Sequence, residues 1–140
     1  MTNDPILYVL RGFFRAVSFD VGGRPSYAKL RDLFITDGKL INTTGDAPDI
    51  ATLDAFIAPR QRAVDAGELT SFEEVELEGA TQVFGNVAHR FSTYAKTGER
   101  DGIGFSGRGM ISTQFVRTAD GWRISSMAWD DERPGGTLPG

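Results

Sequence analysis

The chain has 140 residues, of which 40% are hydrophobic and 24% charged, with a net charge of −4 and no cysteine. This size and composition fit one ordinary globular domain and exclude a fibrous or disordered chain. The acidic balance argues against an extended nucleic-acid-binding surface, because phosphate neutralisation needs clustered Lys and Arg. The absence of cysteine excludes disulfide bonds, thiolate nucleophiles and most structural zinc sites.

The first apolar stretch of the chain fits neither a signal peptide nor a membrane span. It follows an acid, Asp4, has no basic segment before it, and is interrupted by Arg11. We therefore expect a cytoplasmic protein without a membrane partner.

Three helices are predicted in the first half of the chain. Asp4 followed by Pro5 is typical of a helix start, and the apolar residues that follow have the helical period up to Gly22. A shorter helix is predicted from about Ser26, followed by a short strand over residues 39–43.

The third predicted helix covers about residues 50–66 and contains a proline. Pro59 removes one backbone hydrogen bond and clashes with the preceding turn, so a kink or a late restart is expected there.

Alternating apolar and polar residues predict strands through the second half of the chain. The predicted strands cover residues 72–78, 80–84, 87–97, 105–118 and 122–129. Turns are predicted between them at Gly79, Gly85-Asn86, Thr97-Gly98, Gly102 and Asp120-Gly121. Helices first and strands later predict an α+β domain over residues 1–133, with a flexible Gly- and Pro-rich tail over residues 134–140.

Four segments of the sequence resemble one known superfamily: FFRAVSF, DLFITDGKLINTTG, VAHRFSTYA and ADGWRISSMAWDDER. From about Pro5 to Arg133 the chain resembles the nuclear transport factor 2-like superfamily, and within it the SnoaL-like and ketosteroid-isomerase-like bacterial proteins. The resemblance implies a cone-shaped barrel, with three N-terminal helices packed on a strongly curved antiparallel sheet. It also implies an apolar pocket between the helices and the concave sheet face, and a homodimer formed through the convex face. It does not imply one activity, because the fold hosts isomerases, dehydratases, cyclases, epoxide hydrolases and non-catalytic proteins.

The resemblance to ketosteroid isomerases can be tested at three positions. Aligned without gaps, the oxyanion-binding tyrosine corresponds to Phe13, the catalytic base to Asn42 and the oxyanion-binding aspartate to Thr113. Phe13 has no hydrogen to donate, Asn42 takes up no proton at neutral pH, and Thr113 offers only a hydroxyl. These residues argue against the steroid isomerase mechanism.

The single histidine of the chain, His89, is the first candidate for acid–base catalysis. Regular alternation places it on one strand face with three neighbours that would line the cone, Val87, Phe91 and Thr93. An imidazole there has a suitable pKa for proton transfer, with Asn42 or Thr113 positioning a substrate oxygen. The alternative is a structural histidine, hydrogen-bonded to a neighbour.

The same alternation sends Arg90, Ser92 and Tyr94 to the convex side, unless a β-bulge reverses the faces. The carboxylates of Glu74, Glu76 and Glu78 are interpreted as the solvent-exposed face of a strand. One histidine and the acidic run 130–132 offer no ligand spacing for a metal, so neither a metal nor a cofactor is predicted.

The predicted pocket wall is apolar, although each of its residues could instead be plain core. Its predicted residues are Phe13, Phe91, Ile111, Thr113, Phe115, Met127 and Trp129. Three functions remain open: a cofactor-independent lyase, isomerase or cyclase with His89 as acid or base; a non-catalytic module that binds a small apolar or aromatic molecule; and a dimeric protein-interaction domain.

Overall fold

The computed structural model describes residues 4–138. The elements in chain order are α1 (Pro5–Val17), a 3₁₀ helix (Tyr27–Asp32), β1 (Phe34–Asn42), β2 (Asp49–Thr52), α2 (Leu53–Asp65), β3 (Leu69–Phe84), β4 (Val87–Arg100), β5 (Ile103–Thr118) and β6 (Gly121–Asp131).

The strands form a single curved sheet in the order β2-β1-β6-β5-β4-β3, which confirms the predicted α+β class. Neighbouring strands are antiparallel except β1 and β6, which run parallel. The predicted all-antiparallel sheet is thus corrected at this pair. A hairpin would make two paired strands antiparallel. β1 and β6 are not joined by a hairpin, because α2 and the long strands β3, β4 and β5 lie between them along the chain.

Helix α1 begins where the sequence predicts it. The Asp4 carboxylate accepts hydrogen bonds from the backbone N–H groups of Ile6 and Leu7, at 3.0 and 3.2 Å, which satisfies two groups that have no partner within the helix. The apolar face of the helix is buried against the sheet and consists of Ile6, Val9, Leu10, Phe13, Phe14, Ala16 and Val17. Within the sheet, this face packs mainly on β3 and β6.

The other two predicted helices differ from expectation in type and in bounds. The second is the 3₁₀ helix. The third starts at Leu53, because the four residues before it pair with β1 as strand β2. It continues through Pro59 to Asp65 as one helix, so the late restart is wrong and the alternative, a kink at Pro59, stays a prediction.

Strand β3 is one continuous strand, so the turn predicted at Gly79 is wrong. A shift of register between Glu76 and Glu78 marks a β-bulge instead, and the guanidinium of Arg90 lies over Gly79. A Cβ atom at Gly79 would lie 2.7 Å from that guanidinium, which explains the glycine. The turn predicted at Thr97-Gly98 is wrong as well, because β4 continues through it to Arg100. The turn predicted at Gly102 is present, and Asp101 and Gly102 have φ angles of 53° and 78°.

The tail makes local contacts as far as the structure describes it. The Glu132 carboxylate accepts a hydrogen bond from the N–H of Leu138 at 2.8 Å, and Arg133 pairs with Gly136. Residues 1–3 of the predicted domain and 139–140 of the predicted tail lie outside the described residues. Within residues 4–138, no helix combines the length and apolar character needed to cross a membrane.

Candidate functional site

A cavity of about 200 Å³ lies between the helices and the inner face of the sheet. Its wall is mainly apolar and includes Phe13 from α1, Phe56 from α2, and Ile111 and Trp129 from the sheet. The edge of Phe56 contacts Trp129, with ring centroids 6.1 Å apart. The polar side chains on the wall are Tyr27, Asn42, Arg60, Glu74, Lys96 and Arg100. An apolar enclosure with a few converging polar groups is typical of a small-molecule site.

Glu74 provides the only carboxyl among the residues that line this cavity. Burial raises the pKa of Glu74 to about 7, because the apolar surroundings disfavour the charged form. The charges of Lys96 and Arg60 oppose this rise, and that of Asp131 adds to it. At neutral pH the carboxyl is therefore present in both protonation states, as a group that accepts and returns protons must be.

Lys96 is held at the cavity wall by contacts from β6. Its Nζ lies 2.8 Å from Oδ2 of Asp131, and the other carboxylate oxygen of Asp131 accepts a hydrogen bond from the Tyr94 hydroxyl. Burial and the adjacent Asp131 raise the pKa of Tyr94, so its hydroxyl remains a donor. Gly109 leaves room for this contact, because a Cβ atom there would lie 2.3 Å from the tyrosine oxygen.

Arg60 brings a positive charge to the cavity without a carboxylate partner. Its guanidinium carbon lies 3.7 Å from the ring centroid of Phe56, and its Nη1 donates a 2.8 Å hydrogen bond to the Phe56 carbonyl. Among residues 4–138, no carboxylate lies within 4.0 Å of this guanidinium. Burial lowers the pKa of Arg60, an effect opposed by Tyr27, Asp49 and Glu74.

Asn42 is fixed with its amide oxygen engaged. Its Oδ1 accepts hydrogen bonds from the N–H and the hydroxyl of Thr44, at 2.9 and 2.7 Å. Its Nδ2 makes no hydrogen bond to another described residue, which leaves an N–H donor at the cavity wall.

No protein-family model and no curated protein matches this sequence. Solved structures do match. A nuclear transport factor 2-like superfamily protein from Salmonella enterica has a TM-score of 0.75 at 15% identity, over 96% of this chain and 94% of that one. The chain has the nuclear transport factor 2-like fold.

Two further structures with this fold carry provisional functional assignments. A provisionally assigned dehydratase of the nuclear transport factor 2-like family from Streptomyces avermitilis has a TM-score of 0.71 at 16% identity, covering 92% of this chain and 94% of that one. A provisionally assigned calcium/calmodulin-dependent kinase II association domain from Exiguobacterium sibiricum has a TM-score of 0.68 at 13% identity, covering 96% and 98%. At these sequence identities the similarity concerns the fold alone.

Within this nuclear transport factor 2-like fold, the predicted orientation of His89 is wrong. Its side chain is exposed on the outer face of β4, where its Nε2 lies 2.7 Å from Oε1 of Gln82. The buried residues of β4 are instead Ala88, Arg90, Ser92 and Tyr94. Three of these, Arg90, Ser92 and Tyr94, were predicted to face outward. A role for His89 in catalysis stays a prediction without any contact to the cavity.

Charge pairing explains why the inner face of β4 is the polar one. The Arg90 side chain is buried with Glu76, to which its Nε and Nη2 donate hydrogen bonds of 2.7 and 2.8 Å. Ser92 donates a further hydrogen bond to the same carboxylate. The charges are thereby matched, which makes their burial possible.

The residues predicted for the pocket wall fall into three groups in the nuclear transport factor 2-like fold. Phe13, Ile111 and Trp129 line the cavity, as does Asn42, which was predicted to position a substrate oxygen. Phe91 lies on the outer face and is 54% exposed, so its predicted place on the wall is wrong. The remaining three, Thr113, Phe115 and Met127, are fully buried in the core beside the cavity.

Glu74 was missed as a wall residue because β3 was interpreted with its faces reversed. Glu74 and Glu76 point inward, whereas Val75 and Leu77 are exposed on the outer face. The alternation itself was detected correctly. The contact between Glu76 and Arg90, 14 residues apart, stabilises charged side chains on the inner face, and local alternation does not show such a contact.

In residues 4–138, no group of three or more His, Cys, Asp or Glu side chains is arranged to hold a metal ion.

Proposed function

We propose that the cone cavity binds a small apolar or aromatic molecule and that Glu74 exchanges a proton with it, in a cofactor-independent lyase or isomerase reaction of the SnoaL-like kind. The observation that carries this proposal is the single carboxyl on the wall of a mainly apolar cavity, with basic groups near it. A carboxyl with a pKa of about 7 is matched to proton transfer at neutral pH.

Three polar groups on the wall have distinct tasks in such a reaction. The Glu74 carboxylate takes a proton from a carbon of the substrate, and the electron pair of the broken C–H bond moves toward a neighbouring carbonyl oxygen. The Asn42 amide and the Tyr27 hydroxyl are the neutral donors available for the developing oxyanion. An isomerase returns the proton from Glu74 to another carbon. A lyase of the dehydratase kind, the class provisionally assigned to the Streptomyces structure, returns it to the departing hydroxyl, which leaves as water.

Glu74→Gln is expected to lower kcat by about 10²–10⁴-fold, because glutamine takes up no proton at neutral pH. The matched control is His89→Gln, which changes the other candidate acid–base residue on the opposite face and should alter kcat less than twofold. We would measure dehydration of β-hydroxy aryl ketones and acids, whose conjugated products absorb in the ultraviolet. Circular dichroism of both variants checks the fold.

The two variants separate the two acid–base candidates. Turnover that survives Glu74→Gln but is lost in His89→Gln would overturn the role of Glu74 and restore that of His89. A molecule that stabilises the protein without any conversion across the panel would favour a non-catalytic binding module.

A second proposed function is assembly into a homodimer through the outer face of the sheet. The observation that favours it is the exposed apolar surface of β3 and β4, formed by Val75, Leu77, Phe84, Val87 and Phe91. Exposed apolar surface that is contiguous on one sheet face is typical of an interface. The Exiguobacterium structure, which has the same fold, is provisionally assigned as an association domain, and this supports the proposal.

Phe91→Asp is expected to convert a wild-type dimer into a monomer, because the change places a charge in the middle of this apolar face. Analytical ultracentrifugation at several protein concentrations measures the mass. The control is Ile103→Asp, which changes a more exposed aliphatic residue at a hairpin end and should leave the mass unchanged. A wild-type monomer at high concentration would contradict the proposal.

A further inference from the structure

The wall of the cavity carries more positive than negative charge. Arg60, Lys96 and Arg100 face a single carboxyl, that of Glu74. Lys96 is neutralised by Asp131 at 2.8 Å, and Arg100 lies 4.0 Å from the exposed Glu68. Of these three wall cations, Arg60 alone has no carboxylate of residues 4–138 within ion-pair distance.

The surroundings of Arg60 leave most of its hydrogen-bonding capacity unused. A guanidinium has five N–H donors, and in Arg60 one nitrogen donates to the Phe56 carbonyl. Phe56 also supports one face of the guanidinium, which fixes its plane beside the cavity. Burial without a paired anion costs free energy, and an anionic ligand would recover part of it.

Two further donors lie near this guanidinium. The Tyr27 hydroxyl lies close enough for both Arg60 and Arg100 to lower the pKa of Tyr27, against the larger effect of burial that raises it. All three side chains line the same cavity. The charge of Asp49 raises the pKa of Arg60 from beyond ion-pair distance, so Asp49 does not occupy the N–H groups of the guanidinium.

We infer that the ligand of this cavity is an apolar or aromatic carboxylic acid, whose carboxylate binds Arg60 beside Tyr27 and Arg100 while its apolar part lies against Phe13 and Trp129. This inference rests on the proposed function, because it names the class of molecule that the same cavity takes. A planar carboxylate matches the paired N–H groups of a guanidinium, and the aromatic wall matches the rest of the molecule. An inorganic anion matches only the first of these.

The inference is tested by comparing acids with their neutral amides. Phenylacetate and cinnamate would be titrated into the wild-type protein by calorimetry, together with phenylacetamide, cinnamamide and inorganic phosphate. Each amide keeps the shape of its acid and removes the charge. We expect the acids to bind at least about tenfold more tightly than the amides, and phosphate not to bind, because hydrogen bonds to a charged group are the stronger ones.

Arg60→Met is expected to abolish the preference for acids while it leaves the apolar contacts intact. The control is Arg62→Met, the same change at an exposed position of the same helix, which should keep the preference. Arg60→Lys keeps the charge without the planar fork and should give an intermediate preference, so it decides the question if Arg60→Met does not fold.

The outcomes separate this inference from the proposed function. Equal binding of acids and amides would overturn the carboxylate class and leave the small-molecule cavity standing. A preference for acids that survives in Arg60→Met would overturn the role of Arg60. Binding of neither acids nor amides would overturn the inference together with the proposed function.

Discussion

Arg90→Met is expected to lower the free energy of unfolding by about 3–5 kcal/mol, because it leaves the buried carboxylate of Glu76 without its cation. In the folded chain only 11% of the Arg90 side chain and 16% of the Glu76 side chain are exposed. Two nitrogens of the guanidinium donate hydrogen bonds to the carboxylate. Methionine fills a similar volume but offers no donor, so the loss reports the missing charge more than a cavity.

The pKa of Glu76 shows how strongly the ion pair acts. Burial alone raises this pKa, but hydrogen bonds from Arg90 and Ser92 and the charge of Arg90 together hold it below its ordinary range. In Arg90→Met the burial remains and the main stabilising partner is gone. The carboxyl of Glu76 should then take up a proton at a higher pH than in the wild type.

Urea unfolding followed by tryptophan fluorescence measures the stability change. The control is Arg31→Met, which removes the partner of Asp54 in an exposed ion pair and should cost about 0–1 kcal/mol. Replacing both buried residues, in Arg90→Met/Glu76→Leu, should recover much of the loss, because no unpaired charge remains. A cost for Arg90→Met no larger than that for Arg31→Met would show that the buried pair does not hold β3 against β4.

The elements that could be predicted from the sequence are those determined by neighbouring residues. Asp4 and Pro5 fix the start of α1, because the cap and the proline act within one turn. The hairpin between β5 and β6 follows equally from Asp120 and Gly121, since the turn requires the positive φ of 102° that glycine adopts at Gly121. Such signals are local, and the sequence alone displays them.

The faces of β3 and β4 could not be predicted in the same way. Alternation shows that a strand has two faces, but it does not show which face the helices cover. Here the outer face carries Val75 and Phe91, and the inner face carries Glu74, Glu76 and Arg90. Apolar content therefore indicated the wrong side, and the acid–base candidate became His89 instead of Glu74.

Glu74 is expected to make the stability of the protein fall as the pH rises from about 4.5 to about 7. Its pKa is raised from 4.5 to about 7 by burial, so the folded chain keeps a proton that the unfolded chain releases. Over this interval the folded state binds more protons than the unfolded state, and the free energy of unfolding decreases with pH. The full effect is about 3–3.5 kcal/mol and is complete about one pH unit above 7.

Glu74→Gln should remove this slope and should be more stable than the wild type at pH 8 by a similar amount. Urea unfolding at intervals from pH 4 to pH 8 provides the two curves, and their difference isolates Glu74 from carboxylates such as Glu76, whose pKa is lowered. The control is Glu73→Gln, the same change at the exposed neighbouring position of β3, which should leave the slope in place. A constant difference between wild type and Glu74→Gln across this pH range would show that the carboxyl is not held in its neutral form.

The same ionisation links stability to the proposed chemistry. If Glu74 is the base, turnover should rise with pH through the interval in which stability falls, because both depend on loss of one proton from one carboxyl. In the free protein, stability should stop falling near the pH at which kcat/KM reaches half its plateau, about pH 7. A rise in kcat/KM centred well away from the pH at which stability levels off would assign the proton transfer to another group, while leaving the buried carboxyl of Glu74 as the source of the stability change.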